Sequence, residues 1–142
     1  MKKLYQNLLI GLAAAVILVL IVYLERDKGV EIATDKSTYA AGGALIVNIK
    51  NNSGAAVCFS ECYPYYMQVM QEDWTSYEYG ECLENDTVAT CIGKNEVKTF
   101  KITLSQVETG RHRIKVPACV GCTAGENFRA DKTYYSNAFN IQ

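Results

Sequence analysis

Six cysteines carry the reactive chemistry of this sequence: Cys58, Cys62, Cys82, Cys91, Cys119 and Cys122. Two spacings stand out, Cys-x-x-x-Cys at 58 and 62 and Cys-x-x-Cys at 119 and 122. Three chemistries use such sets. Disulfides would brace loops too polar to order themselves, each closure stabilising by about 2 to 4 kcal/mol, and an even count permits full pairing. Zinc would take Cys58, Cys62, Cys119 and Cys122 as ligands and leave Cys82 and Cys91 to pair alone. Redox catalysis would need a helix N-terminus to lower the thiol pKa, whereas Val120-Gly121 falls in a loop between strands. Disulfides are the expected use. The preferred pairing joins Cys82 to Cys91 and Cys119 to Cys122, leaving Cys58 for Cys62.

Little else suggests catalysis. His112 is the only histidine, and its place in an alternating strand makes it structural rather than the base of a cysteine nucleophile. No Ser-His-Asp set, histidine-rich metal motif or glycine-rich phosphate loop is present. The expectation is a non-enzyme with no cofactor and no bound metal.

The residues that suit recognition are aromatic and acidic. Tyr63, Tyr65, Tyr66, Trp74, Tyr77, Tyr79, Tyr134 and Tyr135 put aromatic surface on neighbouring strands. Glu61, Glu72, Asp73, Glu78, Glu81, Glu84 and Asp86 fall in a stretch with no basic residue, between Lys50 and Lys94. Those acids read as a solvated loop beside complementary strands, with a basic partner or Ca²⁺ as alternatives. The candidate binding set is Trp74, Tyr77, Tyr79, Glu81, Glu84 and Asp86, with Asn127 and Arg129 from a later loop. Asn51-Asn52-Ser53 and Asn85-Asp86-Thr87 also match the glycan acceptor pattern.

These residues need a scaffold, and alternation supplies it. Strands are expected over residues 30–34, 44–50, 57–60, 65–71, 75–79, 97–104, 111–116 and 133–141. Long loops are expected over 80–96 and 117–132. Strand 97–104 turns Phe100, Ile102 and Leu104 inward; strand 111–116 puts His112, Ile114 and Val116 on one face and Arg111, Arg113 and Lys115 on the other. Seven or eight short strands without a helical stripe point to an antiparallel β-sandwich.

Ahead of the strands lies residues 4–24, LYQNLLIGLAAAVILVLIVYL, with no charge. At about 1.5 Å per helical residue it can cross a hydrocarbon core of roughly 30 Å. The unbroken apolar run from Leu8 to Leu24 exceeds a signal-peptide core, and no small-x-small site follows it. An uncleaved transmembrane helix is therefore expected, with a cleaved signal second and a prepilin-type helix third. Residues 1–3 form its cytoplasmic end, 25–29 a juxtamembrane linker and 30–142 one domain. Six cysteines suit an oxidising compartment, which places the domain outside the cell membrane. Residues 29–142 carry a net charge of −3, too weak for a nucleic-acid footprint.

Four segments carry a resemblance: DKSTYAAGGALIVNIKNNSG at 35–54, MQVMQEDW at 67–74, VKTFKITLSQVETGRHRIKV at 97–116 and YYSNAFNI at 134–141. In this order they resemble the bacterial immunoglobulin-like domains of cell-surface proteins and lipoproteins. Those share a Tyr-x-x-Gly opening, a Trp after the fourth strand, a Gly-x-Tyr-Arg-Ile strand and a final Ser-Asn-x-Phe. Two features depart from the pattern, His112 in place of the tyrosine and the long cysteine-bearing loops. The resemblance implies an immunoglobulin-like fold and a surface location, and no activity.

If strands simply alternate in direction, the loops holding the cysteines collect at the end away from the anchor. The sequence then reads as a membrane-anchored immunoglobulin-like domain acting in adhesion or ligand binding through disulfide-braced distal loops, its partner a surface protein or glycan. The first alternative is a filament subunit, in which residues 4–24 pack against sister helices rather than membrane lipid. A protease inhibitor is the second.

Overall fold

The longest strand organises the fold. The structure is a computed structural model describing residues 29–77, 81–82 and 85–142; the expected transmembrane helix at residues 4–24, Tyr79 and Glu84 lie outside the described residues. Among the described residues every regular element is a strand: β1 (Val30–Thr34), β2 (Thr38–Tyr39), β3 (Ala44–Asn51), β4 (Val57–Ser60), β5 (Tyr66–Met70), β6 (Trp74–Ser76), β7 (Val88–Ile92), β8 (Val97–Thr103), β9 (Gly110–Val120), β10 (Lys132–Tyr135) and β11 (Phe139–Ile141). β9 is the spine. One of its edges carries β11 and then β10; β5 and then β4 pair with it elsewhere along its length.

Two sheets face each other. The smaller is β1-β3-β8 and antiparallel; the larger runs β2-β11-β9-β4-β7, with β10, β5 and β6 attached, and includes one parallel pair, β2 with β11. Period-two alternation sends Leu45, Val47, Ile49, Ile102 and Leu104 inward from the first. Val57, Phe59, Met67, Ile114, Val116, Phe139 and Ile141 meet them from the second. Each fully buried side chain of this kind stabilises by about 1.5 to 3 kcal/mol.

Polar side chains fasten the ends. Asp35 Oδ1 accepts from the Tyr39 hydroxyl (2.7 Å) and the Ile46 amide (3.0 Å), closing the turn between the sheets. In the next turn, 40–43 between β2 and β3, Gly42 takes the left-handed conformation at φ +77°. Asn51 is fully buried; its amide donates to the Ala55 and Ile92 carbonyls, and its oxygen accepts from the Ser53 amide and hydroxyl. With its nitrogen used twice inside the fold, Asn51 is no glycan acceptor in the folded chain. Asn85 of the second acceptor pattern is exposed. Asn137 clamps β1 to the β10–β11 connection by accepting from the Thr34 amide and donating to its hydroxyl.

Several expectations are corrected. The expected loop 80–96 contains β7, hidden from alternation because the register shifts opposite Phe59 and Ser60. This bulge lets Val88 and Cys91, an odd number of residues apart, face the same side. The expected end of the strand at Val116 is also displaced, since β9 runs through Pro117 to Val120. Pro117 falls after the last β5 pair, at Lys115, and before the first β4 pair, at Cys119, so its missing N–H disturbs neither ladder. The single final strand breaks at Ser136 into β10 and β11.

The most consequential correction concerns direction. β4 pairs with β9 at residues 119–120, and β5 pairs with β9 at 112–115 in the same antiparallel sense. The two are collinear, and residues 61–65 are an excursion from one interrupted line rather than a reversal. Counting reversals therefore assigns later loops to the wrong end. Residues 51–56, 93–96 and 121–122 gather where the chain enters at Val30: the Asn52 amide donates to Gly29 O, Asn51 to Glu96 O, and Gly121 to Ala56 O. At the opposite end lie the 40–43 turn, Leu104 and the C-terminal Gln142, linked by Gly42 to Leu104 O and Ala41 to Gln142 O. Cys58, Cys91, Cys119 and Cys122 belong to the Val30 end, contrary to the expected distal tip.

Candidate functional site

Cysteine pairing differs from the expected set. Cys58 bonds Cys91, Cys62 bonds Cys82, and Cys119 bonds Cys122 as expected; no described cysteine is free. Cys58 and Cys91 are direct partners across the β4–β7 ladder, with Cα atoms 3.9 Å apart, a juxtaposition that a loop over 80–96 does not provide. On its other side Cys58 opposes Cys119 of β9. These cysteines sit on the face of the larger sheet that turns away from the main core, where Val88 and Phe128 join them in a second, small apolar cluster. The loop after β9 folds over this cluster, held by Val88 to Glu126 O, Gly125 to Val88 O and Phe128 to Asp86 O.

Beside it, Asp86 is a latch. Its carboxylate accepts from the Ser60 hydroxyl at 2.8 Å and the Cys62 amide at 3.3 Å, while Ser60 Oγ accepts from the Tyr63 amide. Thr87 donates to Glu61 Oε2 and bridges Asn127 through its backbone. Asp86, expected in the binding set, is thus committed to holding residues 60–63 in place. Glu81, Asn127 and Arg129 are exposed around this region.

The expected aromatic face divides in two. Tyr65 packs edge-on against Phe100, and Tyr134 packs against the core. Tyr77 stacks over His112 with its hydroxyl 3.2 Å from Nε2. His112 is fully buried, and its Nδ1 lies 3.0 Å from the Gly110 carbonyl. A carbonyl can only accept, so Nδ1 carries the hydrogen and Nε2 accepts from Tyr77. Burial holds the His112 pKa below 6.5, against the upward pull of the Gly110 carbonyl and Glu108.

The outward half forms a built surface. Arg113 lies between two rings, its guanidinium carbon 4.3 Å from the Trp74 ring centre and 4.1 Å from that of Tyr135. Gln68, paired across the ladder with Arg113 and Ser76, takes the Arg113 Nε–H on Oε1 at 2.7 Å and donates from Nε2 to Ser76 Oγ. Beside this sandwich, Tyr63 stacks on Tyr66, and Lys115 lies over the Tyr66 ring. Among the described residues the Arg113 Nη groups have no acceptor. Among the described residues of the expected binding set, this surface holds Trp74 alone. Arg113, Gln68, Tyr66, Lys115 and Tyr135 complete it. Their outward positions follow from alternation, but their meeting depends on the β6-β5-β9-β10 register, which no local pattern encodes.

No protein-family model matches the chain, and no curated protein matches it in sequence. Among solved structures, the Pseudomonas fluorescens alkylpurine DNA glycosylase AlkC bound to DNA containing an abasic site analog is similar over 80% of this chain and 30% of that chain, with 9% identity and a TM-score of 0.39.

Proposed function

We propose that this chain is a surface-displayed, immunoglobulin-like binding module, anchored through residues 4–24, whose ligand contact is the outer face of β6-β5-β9-β10. The fold reading draws support from the strand order. β1-β3-β8 matches three strands of one immunoglobulin sheet, β11-β9-β4 the other, and the chain switches sheets between β1 and β2. The three disulfides suit an oxidising compartment outside the membrane.

The observation that carries the binding reading is the Trp74–Arg113–Tyr135 sandwich. Tryptophan, tyrosine and arginine dominate binding hot spots because they offer large, rigid contact area with a polar tip. Here Gln68 and Ser76 fix the guanidinium, so little rotamer entropy remains to be lost on binding. Arg111, Arg113 and Lys115 give the face positive charge, suited to a carboxylate-bearing partner protein at the cell surface. The disulfide-braced region then supports the face, close to the anchor.

The test is capture of cell-surface proteins by the ectodomain, followed by affinity measurements on the captured partner. Trp74→Ala or Arg113→Ala should weaken binding about tenfold or more, with Arg129→Ala and Glu81→Ala near wild type. Loss of binding on the Glu81 or Arg129 changes alone would return the site to the cysteine-bearing loops; capture of glycan without protein would overturn the partner class.

A further inference from the structure

We infer that Cys58, Cys91, Cys119 and Cys122 form a thiol–disulfide exchange site that accepts electrons from an external dithiol. The inference is independent of ligand binding at the aromatic face. β7, β4 and β9 are adjacent in the sheet, and Cys91, Cys58 and Cys119 occupy one row across them. Directly opposed residues of antiparallel strands share a face, and all four cysteines meet in the same small cluster. The direction from Cys119 to Cys58 therefore continues towards Cys91. Attack on a disulfide sulfur proceeds through a mixed disulfide with entering and leaving sulfurs on opposite sides of the attacked one. The row places Cys119 and Cys91 on opposite sides of Cys58, the order this exchange uses, with Cys119 entering, Cys58 attacked and Cys91 leaving.

Exposure sets the order of events. Cys58 is fully buried and Cys119 is 6% exposed, whereas Cys122 and Cys91 are half-buried. An external thiolate therefore reaches Cys122 more readily than Cys119. The Cys122 carbonyl oxygen lies 3.1 Å from Cys58 Sγ and 3.8 Å from Cys91 Sγ, which places this residue's backbone against the neighbouring disulfide.

The step balances as follows. One thiolate of the dithiol bonds Cys122 Sγ, and Cys119 leaves as a thiolate. Cys119 attacks Cys58 Sγ, forming Cys58–Cys119 and releasing the Cys91 thiolate. The second thiol of the dithiol then displaces Cys122, and the dithiol departs as a disulfide, oxidised by two electrons. The protein gains thiols at Cys91 and Cys122, which take up through solvent the two protons the dithiol gives up, and its remaining cross-link has moved from β4–β7 to β4–β9. Cys62–Cys82 lies outside the row and takes no part.

The experiment treats the full-length chain with limiting dithiothreitol, quenches with acid, alkylates and maps linked peptides. The expected product carries a Cys58–Cys119 link with Cys91 and Cys122 alkylated, and forms faster as pH rises towards the thiol pKa of about 8.5. Recovery of Cys58–Cys91 intact, with Cys119 and Cys122 the only alkylated members of the four, would overturn the proposal. A second test needs no reductant: in Cys122→Ser the unpaired Cys119 should exchange, giving comparable amounts of Cys58–Cys91 and Cys58–Cys119. A free thiol confined to Cys119 would equally refute it.

Discussion

Tyr77 donates its hydroxyl to Nε2 of the buried His112 across 3.2 Å, so the chain's one histidine is held neutral beneath a tyrosine ring. Burial lowers its pKa in the folded state, while the unfolded chain titrates near 6.5. The unfolded state thus binds more protons between the two values. Stability from this group is complete above pH 6.5 and is lost as pH falls through the folded value. Urea midpoints measured between about pH 5 and 8 should fall on the acid side, and His112→Phe should flatten that part of the profile. An equal slope in the variant would assign the acid loss elsewhere.

The Asp35 carboxyl is held below its usual 3.8, chiefly by the Tyr39 hydroxyl; burial opposes this as the next-largest influence, and the Ile46 amide adds to the lowering. The stability it contributes is present above 3.8 and is lost as pH falls through the lowered value. In Tyr39→Phe the Asp35 carboxyl, followed by NMR, should titrate closer to 3.8. No movement would show that the tyrosine hydroxyl is not its dominant partner.

Asn51 satisfies four groups from one buried side chain. Removing it takes a partner from the buried Ile92 carbonyl and from the part-buried Ser53 amide, and an orphaned buried group costs about 1 to 3 kcal/mol. Asn51→Ala should therefore destabilise by about 3 kcal/mol and lower Tm by roughly 10 to 20 °C. A loss under about 1 kcal/mol would mean that water replaces the amide.

Cys62–Cys82 closes a loop with a sequence separation of 20. On the chain-entropy account, replacing both cysteines by serine costs about 3 kcal/mol. Chemical denaturation of the double variant should show that loss with the strands intact by circular dichroism. The Asp86 latch onto Ser60 and Cys62 N should limit the local loosening, so Asp86→Ala added to the double variant should cost more than in the wild type.

Trp74 is the only tryptophan, so its emission reports on Arg113 directly. Arg113→Ala should shift the emission and expose the ring to iodide quenching. Gln68→Ala should do so partially, by releasing the guanidinium from Nε. Unchanged spectra in both variants would contradict the stacked arrangement in solution.

The sheet alternation was readable because each long strand buries one face: Leu45, Val47 and Ile49 repeat every second residue, as do His112, Ile114 and Val116. β7 was not, because its bulge breaks the period that marks a half-buried strand. The same omission misled the cysteine pairing, since Cys91 finds Cys58 only once β7 lies beside β4. Trp74 stands out as a recognition candidate by its type. Its partner Arg113 was read as outward-facing, but a contact between Trp74 on β6 and Arg113 on β9 depends on the register of β5 between them, and register is a property of the assembled sheet. Tyr77 has the residue type of a binding group and instead packs on His112, which no spacing rule distinguishes.

Val30 and Gln142 leave the sandwich at opposite ends. Tension applied between Val30 and Gln142 therefore runs along the strands rather than across them. In that direction the β1–β3 and β2–β11 ladders meet force as sliding of whole rows of hydrogen bonds, which must give way together, instead of opening one at a time from an edge. Loaded from these two ends, the domain resists as a unit and unfolds only when whole ladders shear.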